Sequence, residues 1–233
     1  MLPINHLFEN IPEHPDTTVI KNEFYPDGLT QKQIYQYYIS QKKTILKNTD
    51  NREVMIFFNV GLNKFIIKRK ASKDELIKLT SENYDTIISG RTVSIHSTMN
   101  QQENFGIIDL DFHDFETVKN ATIEVYDYLF KSNKNLEIRF TGKTGFHIIY
   151  YNTKKFDINY IKKYLNTMLT DSDLFPKYNI NISRSTQKVN IDLSSNKFRG
   201  GFITPNALSI LGLKCMTISR KQLEKFNRKE AKI

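Results

Sequence analysis

The chain has 233 residues, room for one large domain or two small ones packed together. Hydrophobic residues make up 39%, enough for a packed core, and a formal charge of +9 points to an anionic partner, nucleic acid first. The single cysteine, Cys215, excludes a disulfide framework and a cysteine-based zinc site.

Residues 1–20 read as an irregular arm, with Pro3, Pro12 and Pro15 and little periodicity. Their polar, acidic character is unlike a signal or transit peptide, and no apolar run nears the roughly 18 residues of a membrane span. The expectation is an intracellular protein with no membrane partner. Pro26-Asp27-Gly28 is turn chemistry, after which Asp27 or Thr30 caps a helix from Gln31 to about Lys47. Val54–Asn59 and Lys64–Lys68 predict a hairpin. Ser72 is expected to cap a short helix holding Leu76 and Leu79. Thr86–Ile88 and Thr92–His96 look extended.

Phe105–Phe115 organises the remainder of the chain. It reads as an apolar strand carrying Asp109 and Asp111, which point the same way because strand side chains alternate faces. Two such acids in an Ile/Phe run repel each other and resist desolvation, and a hard divalent cation removes the conflict. An exposed strand face with two solvated acids is the alternative.

Val118, Ala121, Val125 and Leu129 then recur at helical spacing. Leu136–Thr141 is a strand, Gly142–Gly145 a turn and Phe146–Tyr151 a strand. Asp157 caps a helix with Ile158, Ile161, Leu165 and Met168 on one face. Residues 171–186 are loop-like, and Val189–Asp192 is a short strand. The order strand, helix, strand, strand, helix, strand predicts an α+β fold of the split β-α-β kind, ferredoxin-like or RNA-recognition-motif-like. In such a sheet the first and last strands of the run are neighbours, which sets Asp192 beside Asp109 and Asp111. The expected organisation is one domain over 1–233: an accessory α/β part (1–100), a core (101–212) and a basic tail (213–233) whose Ser219 caps a final helix.

Three constellations carry chemistry. Asp109, Asp111 and Asp192 match the carboxylate sets that hold two metal ions about 4 Å apart in nucleotidyl transfer. The turn Thr141-Gly142-Lys143-Thr144-Gly145-Phe146-His147 offers backbone N–H groups, hydroxyls and a lysine, as a triphosphate cradle does; taken alone, it fits a plain hairpin turn with a hydrogen-bonded core histidine slightly better. A P-loop is excluded, since Glu137 stands where its first glycine is required. Finally, Asp192 leads into a polar, basic loop that brings Asn196, Lys197 and Arg199 either to a nucleotide or merely to the surface.

On these residues the chain resembles the archaeo-eukaryotic primase-polymerases, most of all the polymerase domain of bacterial ligase D. Asp109-x-Asp111, the glycine turn ending in His147, and Asp192 follow that superfamily's three motifs. Tyr25-Pro26-Asp27-Gly28-Leu29-Thr30 with Tyr37-Tyr38 is similar to its N-terminal signature, and Ser94-Ile95-His96-Ser97-Thr98 to its histidine motif. Asn196 and Pro205 stand at matching distances. The resemblance implies two Mg2+ or Mn2+ ions on Asp109, Asp111 and Asp192. It implies phosphate contacts from His96, Thr141 and His147, with Phe65 stacking on the base; the cradle and loop readings add Gly142, Lys143, Thr144, Gly145, Asn196 and Arg199 to the nucleotide site. Lys21, Lys32, Lys68, Arg69, Lys70, Arg220 and Lys221 are the expected nucleic-acid contacts.

The chain also departs from that family. Lys143 comes one position early, with Thr144 where the family carries lysine. Ser209 stands where a basic residue usually does, and Glu23 and Gln31 lie near the family's 5′-phosphate lysines. The implied activity is template-directed nucleotidyl transfer from NTP or dNTP onto a primer on DNA, in repair or replication and in the company of a ligase or other replication or repair protein. The rival readings are a de novo primase, a non-catalytic nucleic-acid-binding subunit and an RNA-binding domain of recognition-motif fold.

Overall fold

The structure, a computed structural model, describes residues 16–50, 52–73, 75–89, 91–100, 103–151, 158–171, 177, 180 and 189–233. The described residues divide into two units: those within 1–98, 201–215 and 228–233 form the first, and those within 99–200 and 216–227 the second. Residues 201–212, read from the sequence with the core, therefore fall in the first unit, and the basic tail is shared between the two.

In the first unit, β1 (Thr18–Ile20) pairs with β2 (Leu29–Thr30). A larger antiparallel sheet has the order β11 (Gly201–Ile203), β6 (Thr92–Thr98), β3 (Glu53–Gly61), β4 (Lys64–Lys68). The β3–β4 hairpin is the predicted one, and Asn63 sits at its turn with a left-handed φ of 54°. The Asn63 amide holds both backbone groups of Lys21, at 2.9 Å each, which fixes the hairpin to the end of β1.

Three expected elements differ. The helix after Thr30 is two helices, α1 (Gln31–Ser40) and α2 (Lys42–Thr49), because Gln41 leaves helical geometry (φ −96°, ψ 2°). Thr30, rather than Asp27, is the cap of α1, in a reciprocal capping box with Gln33. Ser72 starts no helix: Ile77–Lys78 is strand β5, paired with β3, and its burial alternates, with Ile77 and Leu79 inside and Lys78 outside. Thr86–Ile88 is helical, not extended, within α3 (Tyr84–Ser89). Thr80 and Asn83 exchange capping hydrogen bonds that start this turn, and the buried Tyr84, Ile87 and Ile88 have helical spacing. Strand propensity of the β-branched run lost to the cap and the packing.

The α1 helix is fastened to β6 by polar side chains as well as by the fully buried Ile34 and Tyr38. The Tyr38 hydroxyl donates to the Val93 carbonyl (2.9 Å) and accepts from the Leu208 N–H (3.1 Å). The Gln31 amide donates to the Thr92 carbonyl.

The second unit carries the predicted strand, helix, strand, strand, helix, strand order of an α+β sheet. Its elements run β7 (Phe105–Asp111), α4 (Phe115–Ser132), β8 (Leu136–Phe140), β9 (Phe146–Tyr151), α5 (Ile158–Asp171) and β10 (Asn190–Asp192). The sheet order is β10-β7-β9-β8, all antiparallel, with β12 (Met216–Ile218) added beside β8. Asp114 caps α4 through the Thr117 N–H (2.8 Å). Val118, Ala121, Val125 and Leu129 are completely buried on one stripe of it. Phe115 at its first turn joins Phe140, Phe146 and Phe226 in an aromatic cluster with centroids 5.0–6.3 Å apart. In α5, Leu165 and Met168 are buried as expected. The predicted cap Asp157, the side chains of Ile158 and Ile161, and most of 171–186 lie outside the described residues. Ser219 caps the short helix α6 (Arg220–Leu223). No helix among the described residues is long and apolar enough to cross a membrane.

Candidate functional site

Strand alternation decides which side chains of the second sheet meet. On β7, β8 and β9 one set (Ile108, Leu110, Ile138, Phe140, Phe146, Ile148) is buried, and Phe140 and Phe146 meet Phe115 of α4. The other set faces away from α4. The register places Asp192 opposite Asp109, Asp109 opposite His147, His147 opposite Arg139, and Arg139 opposite Thr217. One row of polar residues thus crosses all five strands. Asp111, two residues beyond Asp109, lies on the same face.

The three acids are brought to one corner of that face, as the sequence predicts. Asp109 is the most constrained. Burial pushes its carboxyl up to about 8, with Asp111 and then Asp192 adding to the shift. Its side chain is 26% exposed, and its Oδ1 lies 3.6 Å from His147 Nε2. Each of the other acids has a local partner. Asp111 Oδ1 accepts from the Thr144 hydroxyl (2.8 Å), and Asp192 Oδ1 accepts from the Ser194 N–H (2.6 Å). Among the described residues, no three His, Cys, Asp or Glu side chains are drawn together in ligating geometry.

The donor set nevertheless fits a hard divalent cation. Three carboxylates supply the oxygens such an ion takes, and a bound cation would offset both the burial of Asp109 and the charge of its two neighbours.

The glycine turn is built differently from a free cradle. Thr141 closes it on the Gly145 carbonyl through both its N–H (3.1 Å) and its hydroxyl (3.0 Å). The Thr144 hydroxyl is committed to Asp111, so neither threonine hydroxyl is presented as an anion donor. Gly142 has a left-handed φ of 80°. Gly145 is required for packing, since a Cβ there would lie 2.6 Å from the Leu110 carbonyl oxygen on β7. Lys143 is exposed at the tip, and His147 is buried.

Asn196 also has a structural task. Its amide donates to the Ile107 carbonyl and accepts from the Ile107 N–H, both at 2.6 Å. It thereby satisfies the edge of β7 where β10 has ended. Arg199 is exposed in the following loop, with a left-handed φ of 60°.

His96 and Phe65 belong to the first unit. His96, on β6, stacks against Phe57 at 4.6 Å, and burial lowers its imidazole to about 4, so it is neutral at pH 7. Phe65, on β4 opposite Asn59, is partly exposed. Lys21, Arg69 and Lys221 are exposed and Lys68 partly so. Lys32 lies 3.7 Å from Asp16, Lys70 donates to the Lys73 carbonyl, and Arg220 is clamped by Asp127 at 2.7 and 2.8 Å and by Glu224.

The sequence reading missed Glu137 and Arg139. They form an ion pair on the acid-bearing face, extended by the Tyr151 and Thr217 hydroxyls, both of which donate to Glu137. Hydrogen bonding to Arg139, Thr217 and Tyr151 outweighs burial and holds the Glu137 carboxyl below its ordinary value. The signal was the two-residue spacing of the pair in β8, which becomes informative only once β8 is set beside β9.

No family model and no curated protein matches the chain. Among solved structures it is similar to the polymerase domain of Mycobacterium tuberculosis ligase D, determined in complex with DNA. The TM-score is 0.68 at 13% identity, over 90% of this chain and 89% of that one. The chain therefore has the fold of the ligase D polymerase domain, the primase-polymerase fold that its three motifs led one to expect.

Proposed function

We propose that this protein is a metal-dependent, template-directed nucleotidyltransferase that extends a primer on DNA with NTPs or dNTPs. The observation that carries the reading is the register of β10 on β7, which sets Asp192 across from Asp109 and on the same face as Asp111. The fold shared with a polymerase domain bound to DNA supports it, as does the chain's positive charge. In this reading the second unit is catalytic and the first is accessory.

Asp109, Asp111 and Asp192 would hold Mg2+ or Mn2+. When bound, divalent ions supply charge neutralisation at the attacking and leaving oxygens of phosphoryl transfer. Thr144 keeps the Asp111 carboxylate aimed at the shared corner, and the Ser194 N–H does the same for Asp192. In this reading His147, 3.6 Å from Asp109, would donate to a phosphate oxygen. Lys143 at the turn tip supplies exposed positive charge for the triphosphate.

Labelled NTP and dNTP incorporation with Mg2+ or Mn2+, with and without primer, tests the reading. Extension that is lost in Asp109→Ala and Asp192→Ala, with DNA affinity kept, supports it; wild-type extension by both variants refutes it. Synthesis without primer would make the protein a de novo primase.

Two observations favour a second reading, a non-catalytic nucleic-acid-binding subunit. The carboxylates hold local partners instead of a ligating arrangement, and the basic residue expected near Ser209 is missing. DNA binding with no Mn2+ binding and no incorporation would decide for it.

A further inference from the structure

The loop that follows Asp192 carries an aromatic ring in an unusual setting. Phe198 is 55% exposed, the largest exposure of any phenylalanine among the exposed large hydrophobics of the described residues. Its neighbours Lys197 and Arg199 are both exposed, and the Arg199 guanidinium carbon lies 5.0 Å from the ring centroid.

The loop is held firmly. Residues Ser194–Asn196 form a 3-10 turn, and the Asn196 amide is bound to Ile107 on β7, two residues from Asp109. The Arg199 N–H donates to the Met99 carbonyl (3.0 Å), the Met99 N–H to the Gly200 carbonyl (2.9 Å) and the Gly200 N–H to the Lys197 carbonyl (2.7 Å). Gly200 packs so closely that a Cβ would lie 2.3 Å from the Ser195 carbonyl oxygen. Arg199 in turn adopts a left-handed backbone, a cost that the surrounding hydrogen bonds must offset. The ring is thus presented by a rigid support rather than by a slack loop.

An exposed apolar ring costs solvation. An aromatic face flanked by two cations is the chemistry that receives an unpaired base. The ring stacks on the base, and the cations meet the phosphates on either side. We infer that Phe198, with Lys197 and Arg199, is a stacking platform for an unpaired base of single-stranded nucleic acid. The platform needs neither metal nor nucleotide, so it stands or falls separately from the catalytic reading.

The chain contains no tryptophan, so Phe198→Trp gives a protein with a single indole at the platform. This variant is titrated in EDTA with oligo-dT, with oligo-U and with an abasic oligomer of equal length. The proposal expects indole quenching, and protection from iodide, with the base-bearing strands and not with the abasic one. Preference between dT and U reports whether DNA or RNA is the better ligand. In parallel, Phe198→Ala is expected to weaken oligo-dT binding roughly tenfold while Phe198→Tyr keeps it. Lys197→Ala is expected to lower the salt slope by about one for all strands. Because the ring is exposed, unchanged circular dichroism should accompany each substitution. Equal quenching by the abasic strand, or unchanged affinity in Phe198→Ala, overturns the proposal.

Discussion

Asp192 lies directly across the β10–β7 pair from Asp109, although their numbers in the chain differ by 83. Neither strand places an acid there for stability. Asp109 sits between two other carboxylates in a site that burial already makes unfavourable for charge.

That arrangement has a pH signature. The Asp109 carboxyl is raised from its ordinary value, so the folded state binds a proton that the unfolded state has lost. Its contribution to stability is therefore full in acid and falls as pH rises through about 8. Asp109→Asn should stabilise the metal-free protein, more at pH 8 than at pH 5, in urea unfolding. Mn2+ should shrink the difference by stabilising only the native carboxylate site. A destabilised Asp109→Asn protein at pH 8 would contradict this.

His96 should act with the opposite sign. Burial lowers its imidazole to about 4, so folding excludes a proton that the unfolded chain takes up near 6.5. Stability on this account is intact above 6.5 and is lost as pH falls toward 4. His96→Gln should flatten the decline in unfolding midpoint across that window. An unchanged pH profile would show that His96 is not the group responsible.

The Asn196 amide substitutes for a strand on the edge of β7. Asn196→Ala leaves both backbone groups of Ile107 without this partner, which should cost about 1–3 kcal/mol in chemical denaturation. Asn196→Asp keeps the acceptor but loses the donor and should fall between. An alanine variant as stable as wild type would remove the edge-closing role.

Gly145 lets the glycine turn lie against β7. Gly145→Ala drives a methyl toward the Leu110 carbonyl at 2.6 Å and should destabilise by about 1–3 kcal/mol. It should also loosen the Thr144–Asp111 hydrogen bond and weaken Mn2+ binding, which Thr144→Ala should reproduce without the loss of stability. Equal Mn2+ affinity in both variants and wild type would dissociate the turn from the acids.

Much of the second unit was legible in the sequence. The stripe Val118, Ala121, Val125, Leu129 and the alternation in β7 and β9 are local patterns, and their order determines which strands are neighbours. What escaped was decided by partners distant in sequence. Ile77 is a strand residue because Val54 offers an edge, and Thr86–Ile88 is helical because Thr80 and Asn83 cap it. Met216–Ile218 is too short to show a period, yet it completes the sheet beside β8. The acids were readable as a set because each stands in an apolar strand. The duties of Asn196, Thr144 and Arg220 were not, since a side chain that binds its own fold has the same letter as one that binds a ligand.

The most direct test of the account is Mn2+ binding, followed by electron paramagnetic resonance, in the wild-type protein and in Asp109→Ala, Asp111→Ala and Asp192→Ala. The account predicts saturable binding that each substitution weakens at least about tenfold, as expected when one of a few shared ligands is removed. Wild-type affinity in Asp192→Ala would contradict it, for the acid from β10 would then have no part in the site.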